Sequence, residues 1–256
     1  AKHDILTGLP NTALFLENLT EIIKITQSER KNLGVINIDI DKFKSINDTY
    51  GYKKGDIVLQ EIASRLQIIG PKEMLARTNA DNFQLAIKAN SQSMIFDISN
   101  KILDLLNKPF CIDGNNLHIS ASIGISYLAD DCTDSIALVH YSEIAKNNAK
   151  KQGGNIISCY EKSMMDVASV RKKMENSLYE AVEKKIFTVH YQPKIDITKN
   201  DVAGCEALVR WKTDNGWVPP SAFIPIAEET GLVTQIDMFV LRTACKQVLA
   251  WQKDGS

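Results

Sequence analysis

The sequence has no apolar run approaching the roughly 20 residues that a helix needs to cross a bilayer. Its opening, Ala1-Lys2-His3-Asp4, lacks the pattern of a signal peptide. Cysteine is sparse and odd in number: Cys111, Cys132, Cys159, Cys205 and Cys245 are scattered, with no CxxC. That excludes a disulfide scaffold and fits small apolar side chains in a reduced, cytoplasmic setting. The four histidines, His3, His118, His140 and His190, form no HExxH or similar zinc spacing, which argues against a zinc enzyme. Thirty Lys+Arg against 31 Asp+Glu leave a net charge of −1, so no overall positive field draws nucleic acid. A local basic group, Lys146, Lys150 and Lys151, reads as a solvated helix face.

What is present is ordinary globular material, 44% hydrophobic and 24% charged over 256 residues. That length allows one large domain or two ordinary ones. Pro10 is placed for a first helical turn, and Ala13-Leu14-Leu16-Leu19-Ile22-Ile23 has helical spacing. Leu33 to Ile40 reads as a strand. Gly55-Asp56 precedes a helix over Ile57 to Ile69, which ends near Gly70-Pro71. Met74–Thr78 and Phe83–Ile87 read as a hairpin. Met94–Leu106 predicts a helix, and Leu117–Tyr127 an alternating strand after a turn at Asp113-Gly114-Asn115. Ser135–Lys150 predicts a helix closed by Gly153-Gly154, and Ile156–Cys159 a short last strand. Strands alternating with helices imply an α/β domain closing near residue 160. A long charged helix over 161–185 then links to strands at Phe187–Ile195 and Val202–Trp211, and to helices at Ser221–Glu229 and Thr234–Lys253.

Two features carry chemistry. Asp39 and Asp41 close a strand in "INIDIDKF". Paired acids are costly there without a positive partner, and a hard divalent cation suits them. Helix capping or exposure to water is an equal reading.

The motifs "DILTGLPN" (4–11), "IDIDKFKSINDTYGYKKGD" (38–56), "LARTNADNF" (75–83) and "AKKQGGN" (149–155) resemble the GGDEF diguanylate cyclase family in order and spacing. The resemblance covers residues 1–160 and implies a class III nucleotidyl-cyclase-like α/β (α+β) fold. Such domains meet head to head as a homodimer, each holding one GTP, and make cyclic di-GMP with Mg2+ or Mn2+. By position, Asp39 and Asp81 would be metal carboxylates, and Asn47 and Asp56 guanine readers. Lys42 and Phe43 would offer backbone N–H groups to phosphate, and Lys150 would contact phosphate as well. A carboxylate and an amide suit guanine's donors and acceptors.

The chain departs from the family where the chemistry sits. The naming hairpin is Asn79-Ala80-Asp81-Asn82-Phe83. Left-handed backbone there would cost Ala80 about 1 kcal/mol. Asn82 replaces the acid implicated in activating the attacking hydroxyl, and an amide cannot act as a general base. Gly154 stands where the family has an arginine. Gly70 and Glu73 stand where its feedback motif would be, so that arginine is absent too. The implied cyclase domain is catalytically inactive, and its retained role is regulatory GTP binding or nothing.

"FTVHYQPKIDI" (187–197), "CEALVRW" (205–211) and "VPPSAFIPIAEETGLV" (218–233) resemble the start of the EAL phosphodiesterase family. That family has a TIM-like barrel and hydrolyses cyclic di-GMP to pGpG with a metal-activated water. Glu206 would be a metal ligand at the end of a barrel strand, and Gln192, Leu208 and Arg210 would contact cyclic di-GMP. The plain alternative for Arg210 is a salt bridge to Glu206 or Glu229, and for Glu228-Glu229 a solvated helix face. A closed barrel takes about 250 residues, whereas residues 170–256 supply 87. The expected domains are therefore a degenerate GGDEF domain at 1–160, a linking helix at 161–185 and the N-terminal part of an EAL domain at 186–256. The rest of the barrel and an upstream sensor would belong to a longer, cytoplasmic or membrane-anchored parent. Three readings stay open: a phosphodiesterase with a GTP-sensing regulatory domain, a non-enzymatic cyclic-di-GMP receptor, and an interaction scaffold.

Overall fold

The computed structural model describes residues 2–29, 31–71, 74–112, 114–128, 134–214 and 216–254. It divides into two compact units, residues 1–166 and 167–256. Cys132, Glu73 and the Asp113 corner of the expected turn lie outside the described residues.

The first unit is built on β1 (Asn32–Ile40), the middle strand of a five-stranded sheet ordered β2-β3-β1-β6-β7. β2 (Leu75–Asn79), β3 (Asn82–Ala89), β1 and β6 (Ala121–Tyr127) are antiparallel neighbours, and β7 (Ile157–Cys159) joins β6 in parallel. β1 is buried from Leu33 to Ile40 because helices cover both faces. Ile36, Ile38 and Ile40 pack with Val58, Ile62 and Leu66 of α3 (Tyr52–Gln67) and Ile95 and Ile102 of α4 (Gln92–Leu106). Leu33 and Val35 face the other way, with Phe15, Leu19 and Ile23 of α1 (Thr12–Glu29) and Leu138 of α5 (Ser135–Lys151). Period-two alternation sorts these residues. On the α1/α5 face the strand begins apolar and turns polar at Asn37 and Asp39.

Several local expectations are corrected. Pro10 precedes α1 instead of opening it, and Asn11 Oδ1 caps the helix by accepting from Leu14 N–H at 3.1 Å. A separate helix, α2 (Phe43–Tyr50), fills the segment after β1, and α3 starts at Tyr52, so Gly55 lies inside its first turn. The expected strand over 117–127 is two: β5 (Asn115–Leu117) pairs with β4 (Phe110–Ile112), and β6 begins at Ala121. The Ser120 carbonyl accepts from Asp41 N–H at 2.9 Å, and its hydroxyl donates to Asp41 Oδ2 at 2.9 Å.

The second unit begins within α6 (Lys162–Lys184). β8 (Phe187–Asp196), β9 (Asp201–Thr213) and β10 (Gly216–Val218) form an antiparallel sheet ordered β10-β9-β8. Trp211, Phe187 and Phe223 of α7 (Pro220–Thr230) and Ile236 of α8 (Val233–Asp254) build its core with Leu178 and Ala181 of α6. No described helix is long and apolar enough to cross a membrane.

Candidate functional site

The polar end of β1 sets the first site. Asp39 is 6% exposed and sits opposite Asn82 on one side and Ser122 on the other. Asn37, two residues earlier on the same face, is opposite Gln84 and Gly124. Helix α5 lies close over this face because Gly124 has no side chain. A Cβ there would come within 2.1 Å of Lys146 N and of Ser142 O. That approach carries Lys146 onto Asp39. Its Nζ is 3.4 Å from Asp39 Oδ2, and Lys146 is 7% exposed. The solvated-face reading is therefore wrong for Lys146. Lys150, one turn on, forms an ion pair with Asp39 Oδ1 at 2.5 Å.

Asp81 completes the group. Burial pushes its carboxyl above the ordinary aspartate range, and the nearby Asp39 charge adds to this, against the pull of Lys150 and Lys146. Asp41, in contrast, is turned away into its own hydrogen bonds. Oδ1 accepts from Ser122 at 2.6 Å, and Oδ2 from Ser120 and from Asn155 N–H at 3.0 Å. Asp39 and Asp41 therefore do not share a cation. The position that resemblance reserves for arginine, Gly154, has φ +76°, and a Cβ there would stand 3.0 Å from Asp41 Oδ2.

The hairpin turn is made without strain at Ala80. Among the described residues, the non-glycine positive φ values are at Lys42, Asn155, Lys185 and Asn200, so Ala80 does not adopt the left-handed backbone whose cost was expected there. A register shift in β2 between Arg77 and Asn79 lets Asn79 pair with Asn82 directly. Arg77 holds the turn, donating to Ala80 O through Nε (3.2 Å) and Nη2 (2.6 Å). Asn82, 6% exposed, accepts from the Thr78 hydroxyl at 3.1 Å.

The expected guanine readers lie at the α2/α3 junction. Asn47 is half-buried and rests on Gly55, where a Cβ would lie 1.9 Å from Asn47 Oδ1. Asp56, the next residue, is exposed. Lys42 is exposed with φ 55° and caps α2 through its backbone. Ser45 N–H donates to Lys42 O at 2.9 Å, which leaves the N–H groups of Lys42 and Phe43 at the open end of the helix. The Phe43 side chain is core. Gly55, Gly124 and Arg77 are positioning residues that motif reading passed over, although all three lie within or beside quoted motifs or strands.

In the second unit, strand register gathers four expected residues. Glu206 pairs with Gln192, and Leu208 and Arg210 follow at two-residue steps, so all four share one sheet face. Glu206 lies in mid-strand of β9 and not at its end, is exposed, and forms no ion pair or hydrogen bond among the described residues. Arg210 Nη1 donates to Val209 O at 2.8 Å, and Glu229 takes Arg171, so neither plain ion pair for Arg210 forms. Glu228 and Glu229 are exposed on α7, as expected.

A helix-covered, largely antiparallel sheet with Asp39 near the end of its central strand and Asp81 in the adjoining hairpin turn is the arrangement of a nucleotidyl-cyclase-type α/β domain. The family described as diguanylate cyclase, GGDEF domain, matches residues 1–156, and the EAL domain family matches residues 175–256. The chain belongs to the GGDEF family and continues into EAL-domain sequence. It is 34% identical over 257 residues to the bifunctional diguanylate cyclase/cyclic di-GMP phosphodiesterase MucR of Pseudomonas aeruginosa, covering 100% of this chain and 38% of MucR. It is 31% identical over 257 residues to the cyclic di-GMP phosphodiesterase PdeR of Escherichia coli, again covering 100% of this chain and 38% of the relative. The chain thus spans well under half the length of these relatives. The GGDEF domain of TpbB (YfiN) from Pseudomonas aeruginosa superposes with a TM-score of 0.63 at 30% identity, over 65% of this chain and 99% of that one. Domains of both families generally depend on divalent metal. At the first site the donors present do not fit such an ion well. Both Asp39 oxygens face lysines, and no group of three or more His, Cys, Asp or Glu gathers among the described residues.

Proposed function

We propose that this chain is the regulatory part of a cyclic-di-GMP signalling protein. Its first unit binds a guanine nucleotide without converting it, and the EAL domain of the longer protein hydrolyses cyclic di-GMP to pGpG. The observation that carries the first half is Asn82. It stands opposite Asp39 at the hairpin, where synthesis needs an acid, and its carbonyl is already engaged by Thr78. An amide neither takes a proton from a ribose hydroxyl nor holds a cation strongly. Recognition residues are retained: Asn47 and Asp56 for guanine, the Lys42 and Phe43 N–H groups and the Lys150 ammonium for phosphates.

For the EAL half, the shared face of Gln192, Glu206, Leu208 and Arg210 is the support. Glu206 is a free, hard-oxygen ligand suited to Mg2+ or Mn2+. Such an ion, when bound, supplies a Lewis acid and an acidified water. Arg210 would direct its planar fork at a phosphate, with Gln192 and Leu208 flanking the ligand. The names of MucR and PdeR are consistent with this reading.

Calorimetry with GTP and ATP, with Mg2+ and with EDTA, tests the first half. A GTP signal that ATP does not match, lost in Asp56→Ala, is expected, together with no cyclic di-GMP by chromatography. Product that scales with protein would overturn it. For the second half, the longer protein is assayed for metal-dependent release of pGpG. Binding of cyclic di-GMP without hydrolysis would instead make it a receptor.

A further inference from the structure

We propose that Lys146 is a built-in cation at Asp39, which occupies the charge role of a divalent metal in this domain and keeps such an ion from binding. This holds whether or not the domain takes a nucleotide.

The case rests on position. Lys146 and Asp39 side chains are each 8% exposed and their charges are 3.4 Å apart. A buried carboxylate needs a counter-charge, and here the fold supplies one from within. The same sheet face carries two further buried acceptors without donors, Asn37 Oδ1 and Gln84 Oε1. Such a surface suits an ammonium with three N–H groups. Lys146 cannot withdraw readily, because its backbone is pressed onto β6 at Gly124, where even a Cβ would be 2.7 Å from its Cα. Lys150 differs. Its side chain is 41% exposed, so it can leave Asp39 Oδ1 for a phosphate.

With Lys150 turned out, Asp39 Oδ1 and Asp81 are the two carboxylate positions left for a metal. An Mg2+ ion binds oxygen at about 2.0–2.1 Å and demands six near-octahedral ligands. An ion on Asp39 at that distance would lie beside the Lys146 ammonium in a poorly solvated site, where like charges repel strongly. With Lys150 in place, Asp39, Asp81, Lys146 and Lys150 balance as two negative and two positive charges, and with it turned out Lys146 still offsets one of the two carboxylates. Asp41 adds no free oxygen, since Ser120, Ser122 and Asn155 hold it.

The experiment needs no nucleotide, so its outcome is separate from that of the GTP test. Mn2+ binding is followed by electron paramagnetic resonance on the full 256-residue chain. The wild type is expected to show no binding that Asp39→Asn removes. Lys146→Met, close in volume, is expected to gain Mn2+ affinity at least about tenfold, and Asp39→Asn in that background to abolish the gain. Circular dichroism checks the fold, and Lys146→Gln serves if the methionine variant is unstable. Mn2+ binding by the wild type that depends on Asp39 overturns the proposal. So does failure of folded Lys146 variants to gain Mn2+.

Discussion

Arg77 grips Asp4 across 73 positions of sequence, with Nη1 3.1 Å from both carboxylate oxygens. The same guanidinium holds the hairpin carbonyl of Ala80, so one side chain ties the chain's opening motif to the turn beside Asp81. Asp4 also accepts from Thr7 N–H and the Thr7 hydroxyl at 2.9 and 2.6 Å. Burial by itself would raise the Asp4 carboxyl, but the Thr7 hydrogen bonds and Arg77 outweigh it and hold it below the usual aspartate value.

Asp4→Asn is therefore expected to cost about 1–2 kcal/mol at neutral pH, the range for a charge-assisted, partly exposed pair. The sign with pH follows from the lowered pKa. The Asp4 contribution is fully present above its unfolded pKa and disappears as pH falls through the lower folded one. Denaturant melts at pH 7 should separate the two proteins, and melts in strong acid should bring them together. A constant gap at every pH would show that the charge on Asp4 is not what stabilises.

Asp81 has the opposite sign. Burial and the Asp39 charge raise its pKa, so folding penalises its ionised form. The penalty is absent below the unfolded pKa and grows as pH rises through the folded one. Asp81→Asn should raise the melting temperature at pH 7, by about 1–2 °C given its partial exposure, and change it little in acid. A lower melting temperature at pH 7 would mean that the lysines outweigh the repulsion.

The sequence made the sheet and its order of motifs readable because β1 is a continuous apolar strand and the flanking helices have clear periodicity. Resemblance alone points to Asp39, Asp81 and Lys150; in the structure Lys150 pairs with Asp39 at 2.5 Å, and Asp81 lies near enough for the Asp39 charge to raise its carboxyl. Lys146 escapes sequence reading because a lysine near Lys150 and Lys151 reads as exposed until the helix's close approach to Gly124 is known. Spacing along α5 cannot reveal that close approach; it depends on the missing Cβ of another element. The turn at Ala80 is not legible in the sequence for a similar reason. The register shift in β2 and the hold of Arg77 on the Ala80 carbonyl arise from pairing, not from local propensity.

Gly55→Ala separates helix propensity from ligand recognition. Alanine in a helix interior usually gains about 0.5–1 kcal/mol over glycine. Here its Cβ would sit 1.9 Å from Asn47 Oδ1, the end of a half-buried side chain that can swing outward. Stability should therefore change by less than about 1 kcal/mol, while GTP binding falls as far as in Asn47→Ala. Undiminished GTP binding in Gly55→Ala would remove Asn47 from the guanine site.

Gly124→Ala tests how α5 is seated. Its Cβ would meet helix backbone at 2.1 Å, which no side-chain rotation relieves. A loss of about 3 kcal/mol or more is expected, the scale of overpacking against backbone. Gly204 in β9 is the control, because a Cβ there meets nothing within 4 Å. Gly204→Ala should stay within about 0.5 kcal/mol of the wild type. If the two alanine variants melt alike, α5 does not lie as close to β6 as described. The seating of Lys146 over Asp39, and with it the built-in cation, would then lose its structural basis.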